Sequence, residues 1–167
     1  YLHEQGHTVW VQWHVSLLKD SETGAKRMFF QVQDIRDRKK AEEKLTQDAL
    51  TGLPNRARFY DLLKLRVARK QADRQCAVLL LDVDRFKLVN DSLGNASADQ
   101  LLIQIAQRVK TCMRQGDVLA RVGGDEFAVL LDDVSGEEEA SSVAVRIQQA
   151  LAISFNLLGQ EVYTTLS

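Results

Sequence analysis

Two consecutive glycines followed by two acidic residues are the part of this sequence best suited to chemistry. Gly123, Gly124, Asp125 and Glu126 lie between two apolar runs. Paired glycines in that setting are typical of a tight turn that joins two strands. Glycine also lacks a side chain, so a ligand can approach the backbone closely. We therefore predict a hairpin whose acidic tip holds a divalent cation and, through it, a nucleotide phosphate. The alternative is a solvated acidic tip that binds nothing.

A further acidic residue lies upstream, at the end of a predicted strand. The apolar run from Cys76 to Leu81 predicts a buried strand, and Asp82 follows it directly. The carboxyl ends of buried strands are where α/β sheets commonly carry their ligand chemistry. Magnesium usually takes one or two protein carboxylates and completes its coordination with water and substrate phosphate. The sequence therefore predicts that Asp82 and Asp125 share one metal ion.

The composition argues against several classes of function. The chain has 167 residues, of which 45% are hydrophobic and 27% charged, with a net charge of -1. That charge gives no general attraction to nucleic acid or to an anionic membrane, so neither partner is expected. No apolar run approaches the length of a membrane span, and no signal-peptide pattern opens the sequence. Cys76 and Cys112 are predicted to be buried thiols, which suits a reducing cytoplasm.

The hydrophobic pattern predicts the order of the elements. Alternating residues in 8–18 and 28–34 predict two antiparallel strands, and residues 35–50 predict a charged helix. From residue 57 onward the order is helix, strand, helix, hairpin, helix and strand. That order predicts an α/β (α+β) sandwich, in which helices flank a central, partly antiparallel sheet.

Local signals predict where two of the helices begin and where the last strands turn. Ser97 with Gln100, and Ser135 with Glu138, have the spacing of a capping box. A final hairpin is predicted around Gly159–Gln160.

Taken together, the glycine turn and the strand before Asp82 resemble the GGDEF family, the diguanylate cyclases. Four further segments agree with that family: 48–56, 90–94, 99–102 and 114–117. The resemblance begins near Leu45 and continues to the end of the sequence. It implies a GGDEF, nucleotidyl-cyclase-like sandwich.

A second resemblance concerns the start of the chain. Residues 6–35 are similar to the last hairpin of a PAS domain. The implied organisation is a PAS remnant over 1–34, a connector helix over 35–47 and a GGDEF domain over 48–167. Because the sequence lacks an initial Met and stops inside a predicted strand, we expect a fragment. Its GGDEF domain would be C-terminally truncated and inactive alone.

The family resemblance implies an enzyme that joins two GTP molecules into cyclic di-GMP and releases pyrophosphate. Catalysis would require Mg²⁺ or Mn²⁺ and a homodimer in which two GTP-loaded domains face each other. The metal ligands would be Asp82, Asp125, Glu126 and the carbonyl of Val83. Asp125 and Glu126 would also be the catalytic acids, with Glu126 easing deprotonation of the attacking hydroxyl.

The resemblance also implies three kinds of substrate contact. The nucleotide would approach the glycine turn closely, backbone N–H groups would cradle its terminal phosphates, and polar side chains would bind the guanine edge. The residues assigned to these contacts are, in that order, Gly123 and Gly124, Phe86 and Lys87, and Asn90 and Asp99.

Several assignments have alternatives. Arg114 and Asp117 form either an inhibitory site for the product or a surface ion pair of little energetic value. Asp84 either binds metal or caps the short helix after the strand. Arg121 could fix the hairpin by pairing with a carboxylate.

The function itself has an alternative. Asn95 and Ala98 stand where the family usually has His and Gly. The domain could therefore be an inactive GGDEF module that senses GTP or cyclic di-GMP and regulates a fused phosphodiesterase or other output domain. The intact acids at the turn favour the cyclase, which is expected in the cytoplasm, with any membrane tether supplied by other segments.

Overall fold

A computed structural model of the chain describes residues 10–19, 26–68 and 75–167. Two compact units are present, Tyr1–Leu45 and Thr46–Ser167. Residues 8 and 9 of the first predicted strand lie outside the described residues.

The first unit contains an antiparallel hairpin. Strand β1 covers Val11–Lys19, β2 covers Lys26–Asp34, and helix α1 covers Arg36–Thr46. The predicted helix over 35–50 thus ends four residues early. Its start is fixed by Asp34, whose carboxylate accepts hydrogen bonds from the backbone N–H and the Nε of Arg36, at 2.9 and 2.8 Å.

The second unit is a sheet flanked by helices, and it confirms the predicted fold class. Its central sheet has the order β3 (Gln75–Asp82), β5 (Glu126–Val134), β4 (Val118–Arg121), with antiparallel neighbours. A separate hairpin pairs β6 (Phe155–Leu157) with β7 (Gln160–Val162). No helix in the described ranges is long and apolar enough to cross a membrane. The elements are α2 (Arg56–Ala68), β3 (Gln75–Asp82), α3 (Phe86–Leu93), α4 (Asn95–Thr111), β4 (Val118–Arg121), β5 (Glu126–Val134), α5 (Glu137–Leu151), β6 (Phe155–Leu157) and β7 (Gln160–Val162).

Strand β5 is the centre of the core. Its residues from Phe127 to Leu131 are at most 1% exposed, because both faces of the strand are covered. Phe127, Val129 and Leu131 pack in the cluster that includes residues of α4 and α5. Ala128 and Leu130 face the other way and pack against Phe59 of α2. A strand buried on both faces gives the acids at its start a rigid base.

Both cysteines are free thiols in the described structure. Cys112 is buried at the end of α4, and Cys76 is half-buried in β3.

The two predicted capping boxes are wrong. Helix α4 begins at Asn95 after Gly94, with no side-chain cap, and Ser97 is buried inside its first turn. Helix α5 begins after Gly136, and Ser135 donates from its N–H and its hydroxyl to Glu139, at 2.7 and 2.8 Å. The spacing rule fails in both cases because glycine, which tolerates the required backbone angles, occupies the position before the helix.

The last hairpin turns one residue earlier than predicted. Leu157 pairs with Gln160, so the turn consists of Leu158 and Gly159, with φ angles of 54° and 92°. Two residues with positive φ match a type I′ turn, for which Asn-Gly is the preferred pair. Leu158 is therefore an unfavourable residue for its backbone conformation.

We predict that Leu158→Asn stabilises the chain by up to about 1 kcal/mol, since asparagine tolerates the left-handed region better than leucine does. The Leu158 side chain is 75% exposed, so little packing is lost. Urea unfolding followed by circular dichroism measures the change. Gly159→Ala is the control and should destabilise, because its φ of 92° disfavours a side chain. A lower unfolding midpoint for Leu158→Asn would contradict this account of the turn.

Candidate active site

The glycine turn lies where the sequence predicts it, between β4 and β5. The N–H groups of Val122 and Gly123 both donate to the carbonyl of Glu126, at 2.9 and 3.3 Å. These bonds close the hairpin and leave Gly124 and Asp125 at its tip. Glu126 is the first residue of β5, so the deeply buried strand fixes its backbone.

Strand pairing brings the upstream aspartate to the same edge. Asp82 is the direct partner of Glu126 in the antiparallel register, and the N–H of Val83 donates to the carbonyl of Asp125 at 3.2 Å. Directly opposed side chains have Cβ atoms about 5 Å apart, and two like charges in that position repel each other. A divalent cation between them removes that repulsion, and oxygen ligands are the ones that magnesium prefers.

The donor set fits Mg²⁺ or Mn²⁺ bound together with a substrate. Asp82, Asp125 and Glu126 supply carboxylates at neighbouring backbone positions. Among the described residues, no three acidic, cysteine or histidine side chains form a group that could hold a metal ion, so the carboxylates of Asp82, Asp125 and Glu126 do not converge on one point. A site with few protein ligands leaves coordination positions for water and phosphate, which is typical of magnesium.

A side chain at position 123 would force the Glu126 side chain to move. A Cβ atom added at Gly123 would lie 2.3 Å from the Glu126 Oε2, whereas one added at Gly124 would meet nothing within 4 Å. The Glu126 side chain therefore folds back against the turn, in space that only glycine leaves open.

The acids also border a cavity between α2 and the sheet, with a volume of about 390 Å³. Asp82, Glu126, Arg56 and Ser167 are polar lining residues, and most of the remaining wall is apolar. Its lining residues are Arg56, Phe59, Tyr60, Leu80, Leu81, Asp82, Val122, Glu126, Phe127, Ala128 and Ser167.

Arg121 holds the turn in place from behind. Its Nε and Nη2 donate to the carbonyl of Gly124 at 3.1 and 2.6 Å, and its Nη1 donates to both carboxylate oxygens of Asp48 at 3.1 and 3.2 Å. The prediction that Arg121 pairs with a carboxylate is confirmed, although the sequence did not identify Asp48. The signal was present, because Asp48 opens the segment 48–56.

Asp48 is itself fixed by its own turn. Its Oδ1 accepts from the N–H and the hydroxyl of Thr51, at 2.8 and 2.6 Å. Partial burial raises the pKa of Asp48, but the hydrogen bonds from Thr51 and Arg121 together lower it below its usual value. The carboxylate thus stays charged and keeps its bond to Arg121.

The turn after β3 is held by the last residues of the chain, and the prediction that Asp84 caps α3 is wrong. The residue before α3 is Arg85, with a φ of 58° and no side-chain cap. Asp84 instead forms hydrogen bonds with residues 164–167 through its N–H, its carbonyl and both carboxylate oxygens. Its N–H donates to Thr165 O at 3.0 Å, and its carbonyl accepts from the Thr164 hydroxyl at 2.8 Å. Its carboxylate accepts from the hydroxyls of Ser167 and Thr165, which lower the pKa of Asp84.

The groups predicted to bind phosphate lie on this same turn. The N–H of Phe86 already donates to the carbonyl of Val83, at a long 3.3 Å. The N–H of Lys87, in the first turn of α3, takes no backbone acceptor among the described residues. Free N–H groups at the start of a helix favour an anion, so this end of α3 suits a phosphate.

The predicted guanine-binding residues lie on two consecutive helices. Asn90 is half-buried on α3, and Asp99 is exposed in α4, on the other side of Gly94. Ala98 is helical and 2% exposed, so alanine is accommodated at that position. No described contact joins Asn90 or Asp99 to the acids at the turn.

Arg114 and Asp117 do form an ion pair, but only Arg114 lies at the surface, and the choice between this pair and a product site stays open. The Asp117 side chain is 1% exposed and accepts from the N–H groups of Arg114 and Asp132, at 3.1 and 3.2 Å. Arg114 is 49% exposed, and its Nε lies 3.7 Å from Asp117. Asp117 is therefore a buried structural carboxylate, and Arg114 is the accessible member of the pair.

We predict that Arg121→Ala lowers the free energy of unfolding by about 1–3 kcal/mol, since hydrogen bonds to charged groups are lost and Asp48 keeps a half-buried charge. Arg121→Lys should recover little of this loss, because an ammonium cannot bridge Gly124 and Asp48 as the guanidinium fork does. Urea unfolding measures both. Arg58→Ala, at an exposed position on α2, is the matched control. Equal stability of Arg121→Ala and Arg58→Ala would show that the hydrogen bonds of Arg121 to Gly124 and Asp48 do not stabilise the fold.

Comparison with known proteins gives a consistent result. The model of the diguanylate cyclase GGDEF domain matches residues 45–167. The diguanylate cyclase TpbB of Pseudomonas aeruginosa is 43% identical over 123 residues, which is 72% of this chain and 28% of that protein. The cyclic di-GMP phosphodiesterase PdeR of Escherichia coli is 37% identical over 138 residues, or 80% of this chain and 21% of PdeR. The chain thus spans about a quarter of the length of these relatives.

Solved structures agree with the sequence relatives. The isolated GGDEF domain of TpbB superposes with a TM-score of 0.70 at 41% identity, covering 72% of each chain. The diguanylate cyclase SiaD of P. aeruginosa, solved with its activator SiaC, also gives 0.70, at 32% identity over 80% of this chain and 52% of SiaD. With the glycine turn, the opposed acids and the sheet order all described, the chain belongs to the GGDEF diguanylate cyclase family.

Proposed function

We propose that this domain condenses two molecules of GTP into cyclic di-GMP and releases pyrophosphate. The observation that carries the proposal is the direct opposition of Asp82 and Glu126 on paired strands, with Asp125 beside them at an intact glycine turn. Uncompensated acids at such a position favour a divalent cation, and phosphoryl transfer depends on neutralised charge more than on a protein nucleophile.

The proposed site residues have two roles, which are to bind the metal ion and to deprotonate the attacking hydroxyl. Asp82, Asp125, Glu126 and the carbonyl of Val83 would hold Mg²⁺ or Mn²⁺, which when bound neutralises charge on the phosphates. The Val83 carbonyl has a second lone pair free beyond its bond to Phe86. The N–H of Lys87 would bind the terminal phosphates, joined by the N–H of Phe86 when it leaves the Val83 carbonyl.

The reaction is an in-line displacement at phosphorus. The 3′ oxygen of one GTP bonds to the α-phosphorus of the other, the bond to the bridging oxygen breaks, and pyrophosphate leaves. Glu126 takes up the hydroxyl proton, and a second displacement closes the ring. Because each domain holds one GTP through Asn90 and Asp99, two domains must face each other, so the active form is a homodimer.

The N-terminal unit is proposed to be the control element of a cytoplasmic protein. The β1–β2 hairpin supports its assignment as the end of a PAS domain, and α1 as the connector. The half-exposed Arg114 beside buried Asp117 supports an inhibitory product site, since an arginine fork can grip guanine or phosphate.

A second candidate function is a non-catalytic module that binds GTP or cyclic di-GMP and regulates an attached phosphodiesterase. The similarity to PdeR, a cyclic di-GMP phosphodiesterase, favours it. Production of cyclic di-GMP from GTP separates the two functions.

Incubation of the full-length protein with GTP and Mg²⁺, followed by chromatography, tests the proposal. We predict that Asp125→Ala and Glu126→Gln each lower the turnover by about 100-fold or more, because a metal ligand or the proton acceptor is lost. Asp61→Asn, an exposed acid on α2, is the control and should retain full turnover. Urea midpoints close to that of the unmodified protein exclude unfolding. Normal turnover in Glu126→Gln would remove Glu126 from the site, and no product from the unmodified protein would favour the second function.

The two glycines give a sharper test of the geometry. Gly123→Ala should lower kcat by about 100-fold, because the added methyl group displaces the Glu126 carboxylate by more than an ångström. Gly124→Ala should raise KM for GTP and leave kcat closer to normal, since its methyl group meets no protein atom and only an approaching nucleotide. Steady-state kinetics separate the two effects. The same kcat and KM in both variants would show that Glu126 does not depend on the space at Gly123.

A further inference from the structure

The accessible arginine of the proposed product site already has partners. Arg114 Nη1 donates to Glu139 Oε1 at 2.7 Å, and its Nη2 donates to the carbonyls of Asp132 and Asp133 at 2.6 and 3.0 Å. The Nε lies 3.7 Å from Asp117. Thus the Nη1–Nη2 edge, which would grip a ligand in a fork, is engaged on both nitrogens even though half of the side chain is exposed.

These partners differ in how easily a ligand could replace them. The carbonyls of Asp132 and Asp133 belong to the end of β5, whose backbone is fixed by the core. Asp117 is buried and tied to two backbone N–H groups. Glu139 is the partner on a side chain at the surface, in the first turn of α5. It is therefore the contact that can open without disturbing the fold.

The other carboxylate oxygen of Glu139 nevertheless fixes the orientation of the side chain. Oε2 accepts from the N–H and the hydroxyl of Ser135, at 2.7 and 2.8 Å. The hydrogen bonds from Ser135, followed by the charge of Arg114, lower the pKa of Glu139, so it is a carboxylate at neutral pH. A carboxylate already oriented by Ser135 loses little further freedom on pairing with Arg114.

We propose that Glu139 is an internal competitor that sets the affinity of the Arg114 site for cyclic di-GMP. This inference rests on the proposed product site. A guanine edge or phosphate that uses the guanidinium fork must first replace Glu139 on Nη1. The observed affinity is then lower than the intrinsic affinity by the fraction of domains in which Arg114 is released. The carboxylate also repels the phosphates of the incoming ligand.

The competition predicts that removing the Glu139 carboxylate raises the affinity for cyclic di-GMP. Isothermal titration of the full-length protein with cyclic di-GMP should give a Kd about two- to fivefold lower for Glu139→Gln, as expected for an exposed ion pair. Glu138→Gln is the matched control. It removes the same charge from the adjacent exposed residue of the same helical turn and should leave Kd unchanged within twofold.

A second variant tests the same idea without changing the competitor. Ser135→Ala removes one of the two hydrogen bonds to Glu139 Oε2, so Glu139 is held less firmly and Kd should fall in the same direction. It also serves where Glu139→Gln proves unstable in urea unfolding. An unchanged or higher Kd in both Glu139→Gln and Ser135→Ala overturns the inference, as does an equal gain in Glu138→Gln.

Arg114→Ala separates failure of the inference from failure of the site. If it abolishes binding while the Glu139 and Ser135 variants bind like the unmodified protein, the product site stands and the competitor is rejected. If Arg114→Ala binds cyclic di-GMP normally, the proposed product site is wrong and the inference fails with it.

Discussion

The contact between Arg121 and two otherwise unrelated parts of the chain determines the shape of the candidate active site. A glycine-rich turn has little side-chain packing of its own, so its backbone would sample many conformations if only the strand bonds held it. The guanidinium group fixes the carbonyl of Gly124 and, through Asp48, ties it to the turn that begins the second unit. The pairing is 13% exposed on the arginine side, which shields it from solvent and salt.

These contacts of Arg121 matter because the carboxylates at the turn must be held close together although they repel each other. Asp82 and Glu126 are opposed by the register of β3 and β5, and that register cannot slip without turning Phe127, Val129 and Leu131 out of the core. Burial of apolar side chains thus provides the free energy that keeps two like charges adjacent. The core thus assembles the site, and under the proposed function a cation and its phosphate ligand would complete it.

Much of this arrangement could be predicted from the sequence, because it depends on local patterns. The apolar runs predicted the strands, and the paired glycines predicted the turn. The position of Asp82 at the end of a strand predicted that it lies near the hairpin. The fold class followed from the same patterns.

The errors concern contacts between residues far apart in sequence. Asp84 was expected to cap α3, but its partners Thr165 and Ser167 lie about 80 positions away. Asp48 bonds Arg121 across 73 positions, and Arg114 bonds Glu139 across 25. The capping boxes failed for a different reason, since the spacing of Ser97 and Gln100 carries no information on the backbone angles that Gly94 adopts. Only the folded chain shows which of several available acceptors a polar side chain takes.

Two arginines, one before β4 and one at its last position, show how exposure changes the consequence of similar chemistry. Both make several hydrogen bonds to a carboxylate and to backbone carbonyls. Arg121 is largely shielded, so water cannot replace its partners cheaply and the bonds act as a fixed support. Arg114 is half-exposed, and Glu139, one of its two carboxylate partners, lies at the surface, so solvent reaches that contact more easily. The same side-chain type therefore supports the turn in one place and, in the other, leaves a surface contact that the proposed product site would use.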